Sequence, residues 1–353
     1  MRRYRANELG LLTGHLPPGC NNSITDVPGV RVGHTTLIRG EGPLVPGKGP
    51  VRTGVTAIVP GADNPYSCKL PAAFHAVSGY GKPAGAAQVV ELGTLETPIL
   101  LTNTLSVPTA ANALITWSLE RNPEIGITQG TVNPVVFECN DGYLNDIRGR
   151  HVTEADCLAA LRTAGDTVIE GAVGAGTGMS AFGYKGGIGT ASRRIEVGGS
   201  AFHIGVLVLS NFGRRSDLRI AGVLIGPDMD APPEAEPGGS AIVILATDVP
   251  AGSHDLGRIA RRSAVGLFRT GSYAAHSSGE FIFAFSTAAD GRSGFSDDEY
   301  NLMFQAAAEA TEEAVMNSMF MADTMVGRDY HIREGIPLDK VVEVVNRGRR
   351  GKR

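Results

Sequence analysis

Four polar residues in the second half of the chain could do chemistry together: Ser240, His276, Ser278 and Glu280. Ser240 follows Gly238-Gly239, the most permissive backbone available, and precedes the apolar run 241–245. Ser278 and Glu280 precede a second apolar run, 281–285, and are two residues apart, so in extended chain they point to one side. Such a set offers a nucleophilic hydroxyl, a second hydroxyl to relay protons, and a carboxylate to hold that relay or stabilise positive charge. Equally, Ser240 fits a turn, and Ser278 and Glu280 fit a strand cap. His276 could orient a serine, though loop histidines of this kind are commonly just solvated.

A serine hydroxyl needs a base. A free α-amino group, with a pKa near 8, is partly neutral at pH 7. Cleavage of Gly239–Ser240 would create that base on the same residue as the hydroxyl. A glycine upstream leaves the scissile carbonyl unhindered. The preceding segment suits a processing site as well as a linker: Pro227, Pro232, Pro233 and Pro237 oppose regular structure, and Asp228, Asp230, Glu234 and Glu236 keep it solvated.

Other chemistries find less support. No GxSxG, HExxH or GxxxxGK[ST] occurs. Gly176-x-Gly178-x-x-Ala181 imitates a dinucleotide fingerprint, but the expected helix is missing after it. The cysteines, at 20, 68, 139 and 157, lack metal-ligand spacing and are expected to be reduced and mostly buried.

The elements that must position these groups follow from pattern. Runs 241–247 and 281–285 predict strands, joined by a helix from about Ser253 with apolar Leu256, Ile259, Val265 and Phe268. If the strands are parallel neighbours, the crossover brings their starts to the same sheet end, with Ser278 and Glu280 facing Ser240. Upstream, strands are expected at 30–32, 55–59, 98–101, 135–138 and 202–209, and helices at 109–119, carrying Trp117, and 153–162, with Thr153 as N-cap. Residues 86–95 fit either helix or strand. Ser296-Asp-Asp-Glu299 is a capping box ahead of a long helix to about Met321, and Pro337 opens a last short helix.

The 353 residues are enough for a large core, and the net charge of −4 makes no electrostatic case for nucleic acid. The basic tail, 347–353, is expected to be a frayed, solvated end. MRRYRANELG has no apolar region after its charges, so no signal peptide is expected, and no run approaches the ~20 residues of a membrane span. A cytoplasmic location follows as the expectation.

Across nearly its whole length the chain resembles the DmpA-type aminopeptidases, the family of the L-aminopeptidase/D-Ala-esterase and the β-peptidyl aminopeptidases. The matching segments are Arg5-Ala-Asn-Glu-Leu-Gly10, Ile24-Thr-Asp-Val-Pro-Gly-Val30, Val32-Gly-His-Thr35, Val51-Arg-Thr-Gly-Val-Thr-Ala57 and Asn140-Asp-Gly-Tyr-Leu-Asn-Asp146. They continue with Lys185-Gly-Gly-Ile-Gly-Thr-Ala-Ser-Arg193, Asn211-Phe-Gly-Arg-Arg-Ser-Asp-Leu-Arg-Ile220, Gly239-Ser240, Arg269-Thr-Gly271, Ser278-Gly-Glu280 and Thr324-Met-Val-Gly-Arg328.

The resemblance implies an α/β fold, an αββα sandwich related in mechanism to N-terminal nucleophile hydrolases but distinct in connectivity. It implies self-cleavage into chains 1–239 and 240–353, which together form one catalytic domain, with Ser240 as the new N-terminal nucleophile. Ser278 and Glu280 take the supporting positions. Asn211 takes the oxyanion donor's place, or simply caps a strand. Glu138 and Tyr143 lie near pocket-lining positions, where Glu138 would hold a substrate ammonium or serve as an ion-pair partner. No metal or cofactor is implied, and the family commonly forms tetramers of the two-chain unit. The expected activity is release of an N-terminal residue from small peptides, amides or esters through an acyl-enzyme. The alternatives are a D-selective esterase or amidase, an aminoacyl transferase, and an unprocessed relative that only binds.

Overall fold

A computed structural model describes residues 2–11, 13–61, 64–229, 239–288 and 294–350. Most of the acidic Pro-rich segment, 230–238 with Gly238, lies outside the described residues, as do 351–353 of the basic tail.

The chain opens with strands β1 (Val30–Arg39), β2 (Val51–Pro60) and β3 (Leu70–Gly79). Helix α1 (Ala86–Leu92) and the short β4 (Thr94–Leu95) follow, dividing between them the stretch that fitted either structure. Next come β5 (Ile99–Asn103), α2 (Val107–Arg121), β6 (Val135–Cys139) and α3 (Glu154–Arg162). Thr153 caps α3 as expected, in a capping box completed by Asp156. The small hairpin β7 (Ser180–Ala181) and β8 (Tyr184–Lys185) precedes long strands β9 (Gly187–Val197) and β10 (Ser200–Asn211). No helix follows Gly176-x-Gly178, in keeping with the rejected dinucleotide reading.

After the small hairpin β11 (Arg219–Ile220) and β12 (Val223–Leu224) come β13 (Gly239–Thr247), α4 (Ser253–Arg269), β14 (Ser278–Ser286) and α5 (Asp297–Phe320). The hairpin β15 (Met325–Val326) and β16 (Ile332–Arg333), then α6 (Leu338–Arg350), complete the described chain. Besides the two-residue strands, two long ones, β3 and β9, have no counterpart among the expected strands. Leu70–Gly79 is rich in alanine and includes proline, and Gly187–Val197 starts in a glycine run, so neither has the β-branched alternation of a typical strand.

The strands form two sheets, ordered β1-β2-β5-β6 and β4-β3-β14-β13-β10-β9. One apolar layer fills the space between them, with Ile58, Leu101 and Phe137 from the first sheet against Leu207, Ile242 and Phe283 from the second. Outside the smaller sheet, Leu100 and Val136 pack against Ala110, Leu114 and Ala160 of α2 and α3. Outside the larger, Val206, Val243 and Ile282 pack against Ile259 of α4 and Val315 of α5. The layers are α, β, β, α, the sandwich expected.

Both faces of the central strands are thus covered, which is why β13 and β14 read as near-continuous apolar runs. Helix α5 is buried on all sides from Glu309 to Phe320, and its carboxylates there are paired: Glu309 and Glu313 with Arg193, Glu312 with Arg269. Its close approach to β9 requires Gly189, where a Cβ would lie 2.0 Å from the Ala314 carbonyl oxygen.

The parallel pairing of β13 with β14 is borne out. These two strands from segment 240–353 lie inside the larger sheet, flanked by β3 and β10 from the upstream segment. Three local expectations need correction. Val265 and Phe268 of α4 are exposed, because Leu256, Ile259, Ala260 and Leu267 supply the inward stripe. To Arg350 the basic tail is largely exposed, as expected, but helical rather than frayed, anchored by buried Val341, Val344 and Val345, and Arg347 pairs with Asp228 at 2.8 Å. Of the cysteines, only Cys139 and Cys157 are buried; Cys20 and Cys68 are exposed.

Candidate active site

The register of β13 against its two neighbours builds the site. Ser240 pairs with Asn211 of β10 and with Gly279 of β14, while Gly239 pairs with Ser278. Lateral partners in a sheet share a face, and successive residues alternate. Ser240 and Asn211 therefore belong to the face that carries Ile242, Ile244 and Phe281 into the space between the sheets. Ser278 and Glu280 belong to the opposite face, with Ala241, Val243 and Ile282 toward α4 and α5.

This corrects one expectation. Ser278 and Glu280 do share a side, but the Ser240 side chain is on the other. Alternation within β14 is readable from spacing; the one-residue offset against β13 is set by the inter-strand hydrogen bonds. What the pair faces is the Gly239 end of the Gly239–Ser240 peptide. Ser278 also starts β14 rather than standing in a loop before it.

On the Ser240 side is an open cleft of about 650 Å³, lined by Tyr80, Thr104, Glu138, Tyr143, Asn211 and Ser240 among others. Asn211 is held at both ends of its amide. Its Oδ1 accepts from Ser180 N at 2.9 Å, and its Nδ2 donates to the Asn140 carbonyl at 3.0 Å. The second Nδ2 proton remains available to the cleft. Glu138 is 3 % exposed, and its Oε1 accepts from Lys82 N at 3.0 Å while its Oε2 accepts from the Thr104 hydroxyl. Each oxygen keeps a further lone pair. Tyr143 stacks on His331 at 4.5 Å between centroids, with the Arg333 guanidinium 3.7 Å over its ring. The structure thus brings Ser240, Asn211, Glu138 and Tyr143 into one cleft. Cys139 Sγ lies 3.5 Å from the Ser240 carbonyl oxygen.

On the other side is a small pocket of about 20 Å³, lined by Gly239, Gly271, Tyr273, Ala275, Ser278 and Glu280 among others. That is room for one water-sized group. Ser278 Oγ donates to Glu280 Oε1 at 2.6 Å, and Glu280 Oε2 has no hydrogen-bond partner among the described residues. Burial pushes the Glu280 carboxyl up, and the Ser278 hydrogen bond opposes that shift. A buried carboxylate with one unused oxygen, beside a small cavity, suits a cation of ammonium size. Glycine is required next to it: a Cβ on residue 239 would lie 2.3 Å from the Asn211 carbonyl oxygen.

Sequence reasoning passed over the groups that hold Asn211 in place. Lys185 is fully buried, and its ammonium donates to the carbonyls of Gly176, Met179 and Gly186 at 2.7–2.8 Å. It pairs across the β7–β8 hairpin with Ser180, the residue whose N–H grips Asn211. Asp141 adjoins Asn140, the other grip, and accepts from Asn145 Nδ2 at 3.0 Å. Burial pushes the Lys185 ammonium down to about 7 and the Asp141 carboxyl up to about 7, each tempered by the other's charge. Both residues stand inside motifs quoted above, but burial of a lysine leaves no trace in spacing. Among the described residues no group of His, Cys, Asp or Glu could hold a metal ion, and no helix is long and apolar enough to cross a membrane.

Comparison with known proteins gives one consistent picture. Residues 22–333 match the model of peptidase family S58. The chain is 40% identical to the β-peptidyl aminopeptidase BapA of Sphingosinicella microcystinivorans, over 98% of this chain and 93% of that protein. Among solved structures, the PH0078 protein of Pyrococcus horikoshii OT3 superposes with a TM-score of 0.92 at 51% identity, covering 98% of this chain and 99% of that one. The L-aminopeptidase D-Ala-esterase/amidase of Ochrobactrum anthropi, a prototype serine aminopeptidase and a variant of the Ntn hydrolase fold, superposes at 0.88 with 36% identity, covering 97% and 98%.

Proposed function

This chain belongs to peptidase family S58 and is an aminopeptidase, and from that premise we propose that it cuts itself at Gly239–Ser240 and acts through the serine thus exposed. The observation that carries this reading is the register of β13, with Asn211 beside Ser240 on one face and the Ser278–Glu280 pair beside Gly239 on the other.

In the first reaction the Ser240 hydroxyl adds to the Gly239 carbonyl carbon and the C–N bond breaks. Residues 1–239 are then held as an ester on Ser240 Oγ, and the hydroxyl proton passes to the released amine. Water hydrolyses the ester. The two pieces stay associated because β13 and β14 lie between β3 and β10 in one sheet. The new α-amino group takes up the space that Gly239 leaves, beside Ser278 and Glu280. Glu280 would counter its charge when protonated, and Ser278 would relay protons.

In the second reaction the neutral α-amino group takes the hydroxyl proton as Ser240 attacks the substrate acyl carbon. Asn211 Nδ2 donates to the oxyanion, Glu138 receives the substrate's free ammonium, and Tyr143 forms part of the cleft wall. The leaving amine departs with the proton, and water resolves the acyl-enzyme. The substrates on this reading are small peptides, amides or esters with a free amino end, β-aminoacyl compounds included, given the β-peptidyl activity named for the relative. The esterase/amidase name of the Ochrobactrum structure keeps a D-selective activity as the second reading. Turnover of L-, D- and β-aminoacyl p-nitroanilides separates them.

Intact mass under denaturing conditions tests the whole scheme. Wild type should give two fragments, the smaller beginning at Ser240, and Ser240→Ala one uncut, inactive chain. A cut and active Ser240→Ala would overturn it.

A further inference from the structure

We propose that Arg333 and Arg328 form a subsite for the C-terminal carboxylate of a short peptide, so that the cleft recognises both ends of a dipeptide. The inference rests on the aminopeptidase reading and adds to it the chemistry of the leaving group.

The cleft is electrically asymmetric. Among its described lining residues Glu138 is the single carboxylate, against Lys82, Arg328 and Arg333. The sheet order fixes which flank each occupies. Tyr80 follows β3, and β14, β13 and β10 come next in turn, so Ser240 stands between the Tyr80–Lys82 flank and Asn211. Glu138 is hydrogen-bonded to Lys82 N, on the first flank. Arg333 Nε donates to Ser180 Oγ at 3.0 Å, and Ser180 N donates to Asn211, which puts Arg333 on the second. Lys82 is on the Glu138 side, with its ammonium 5.8 Å from the Tyr80 ring centroid.

A dipeptide lying across Ser240 has matching polarity: ammonium toward Glu138, scissile carbonyl at Ser240 and Asn211, carboxylate toward the arginines. Its two residues span about 7 Å when extended, so a longer peptide would carry its carboxylate past this flank.

The arginines are built for such a role. Arg333 pairs with Met325 across the β15–β16 hairpin, and its guanidinium is stacked on Tyr143, itself stacked on His331. A planar guanidinium fixed in orientation matches a carboxylate with two parallel hydrogen bonds. Arg328 begins the turn of the same hairpin. Its Nε is buried with no hydrogen-bond partner among the described residues, and Asp329 stands 3.8 Å from Nη1.

The test uses the processed enzyme and compares kcat/KM for a dipeptide, the same dipeptide as its C-terminal amide, and the matching aminoacyl p-nitroanilide. Wild type should favour the free acid over the amide by about tenfold or more, the usual worth of a charge-assisted contact. That ratio should fall toward one in Arg333→Gln and in the Arg328→Gln/Arg333→Gln pair. If Arg333 merely props Ser180 and Asn211, acid and amide lose activity together and the ratio stays, which overturns the proposal. Equal cleavage of acid and amide by wild type overturns it too. Failure to release an amino acid from any of the three compounds would instead reject the aminopeptidase reading beneath it.

Discussion

Asn211 and Ser240 are direct cross-strand partners in β10 and β13, and their side chains share the face that opens into the cleft. The pairing joins residues 29 positions apart in sequence and is fixed by the backbone ladder, while Ser180 N and the Asn140 carbonyl hold the Asn211 amide.

Replacing that donor should slow both reactions. Asn211→Ala is expected to lower kcat by about 10²–10³, the usual loss for one oxyanion donor. It also strands Ser180 N and the Asn140 carbonyl, so Tm should fall. Asn211→Asp keeps an acceptor for Ser180 N but removes the donor. Its kcat should fall as far as that of Asn211→Ala, with a smaller drop in Tm. A time course of fragment appearance on denaturing gels measures the effect on self-cleavage.

Glu280 offers a test in pH. An opposite charge nearby raises the pKa of an amine. Glu280→Gln removes that charge from the pocket where the Ser240 α-amino group would sit. The amine should then lose its proton at lower pH, and the acidic limb of the kcat/KM profile should move downward with it. An unmoved limb would show that Glu280 does not face the α-amino group.

Glu138→Gln keeps the shape of a buried side chain and removes its charge. For substrates with a free amino end, kcat/KM should fall by about ten- to a hundredfold, mostly through KM. Discrimination between free and N-acetylated substrates should narrow in parallel. Paired kinetics on the two substrate forms gives the answer.

His34 should set part of the acid stability. Its Nδ1 lies 3.0 Å from Thr56 Oγ1, its Nε2 has no partner among the described residues, and burial pushes it down to about 4. The free imidazole titrates near 6.5, so between these values the unfolded chain binds the extra proton. The stabilisation is complete above about 6.5 and is lost as pH falls toward 4. Buried Glu170 and Glu312, raised to about 7, act in the opposite sense, contributing stability that is lost as pH rises toward 7. His34→Gln isolates the histidine: urea midpoints for variant and wild type should converge as pH drops from 6.5 to 4.

Much of the site was legible in the chain. Gly-Gly before a serine before an apolar run marks Ser240, and motif resemblance adds Asn211, Glu138 and Tyr143. The side of the sheet on which each acts was not legible. Spacing relates residues within a strand, and only pairing relates residues between strands. Lys185 was invisible for a different reason. A lysine in sequence reads as solvated until the three carbonyls around it are folded into place.

By itself the sequence determined the nucleophile candidate, the α/β class and the alternation of buried strands with helices, because hydrophobic period and capping residues are local properties. The tertiary structure alone decided that Ser240 and Asn211 share one face while Ser278 and Glu280 occupy the other. A one-residue difference in register exchanges the faces of a strand, and register is set by hydrogen bonds between segments far apart in the chain.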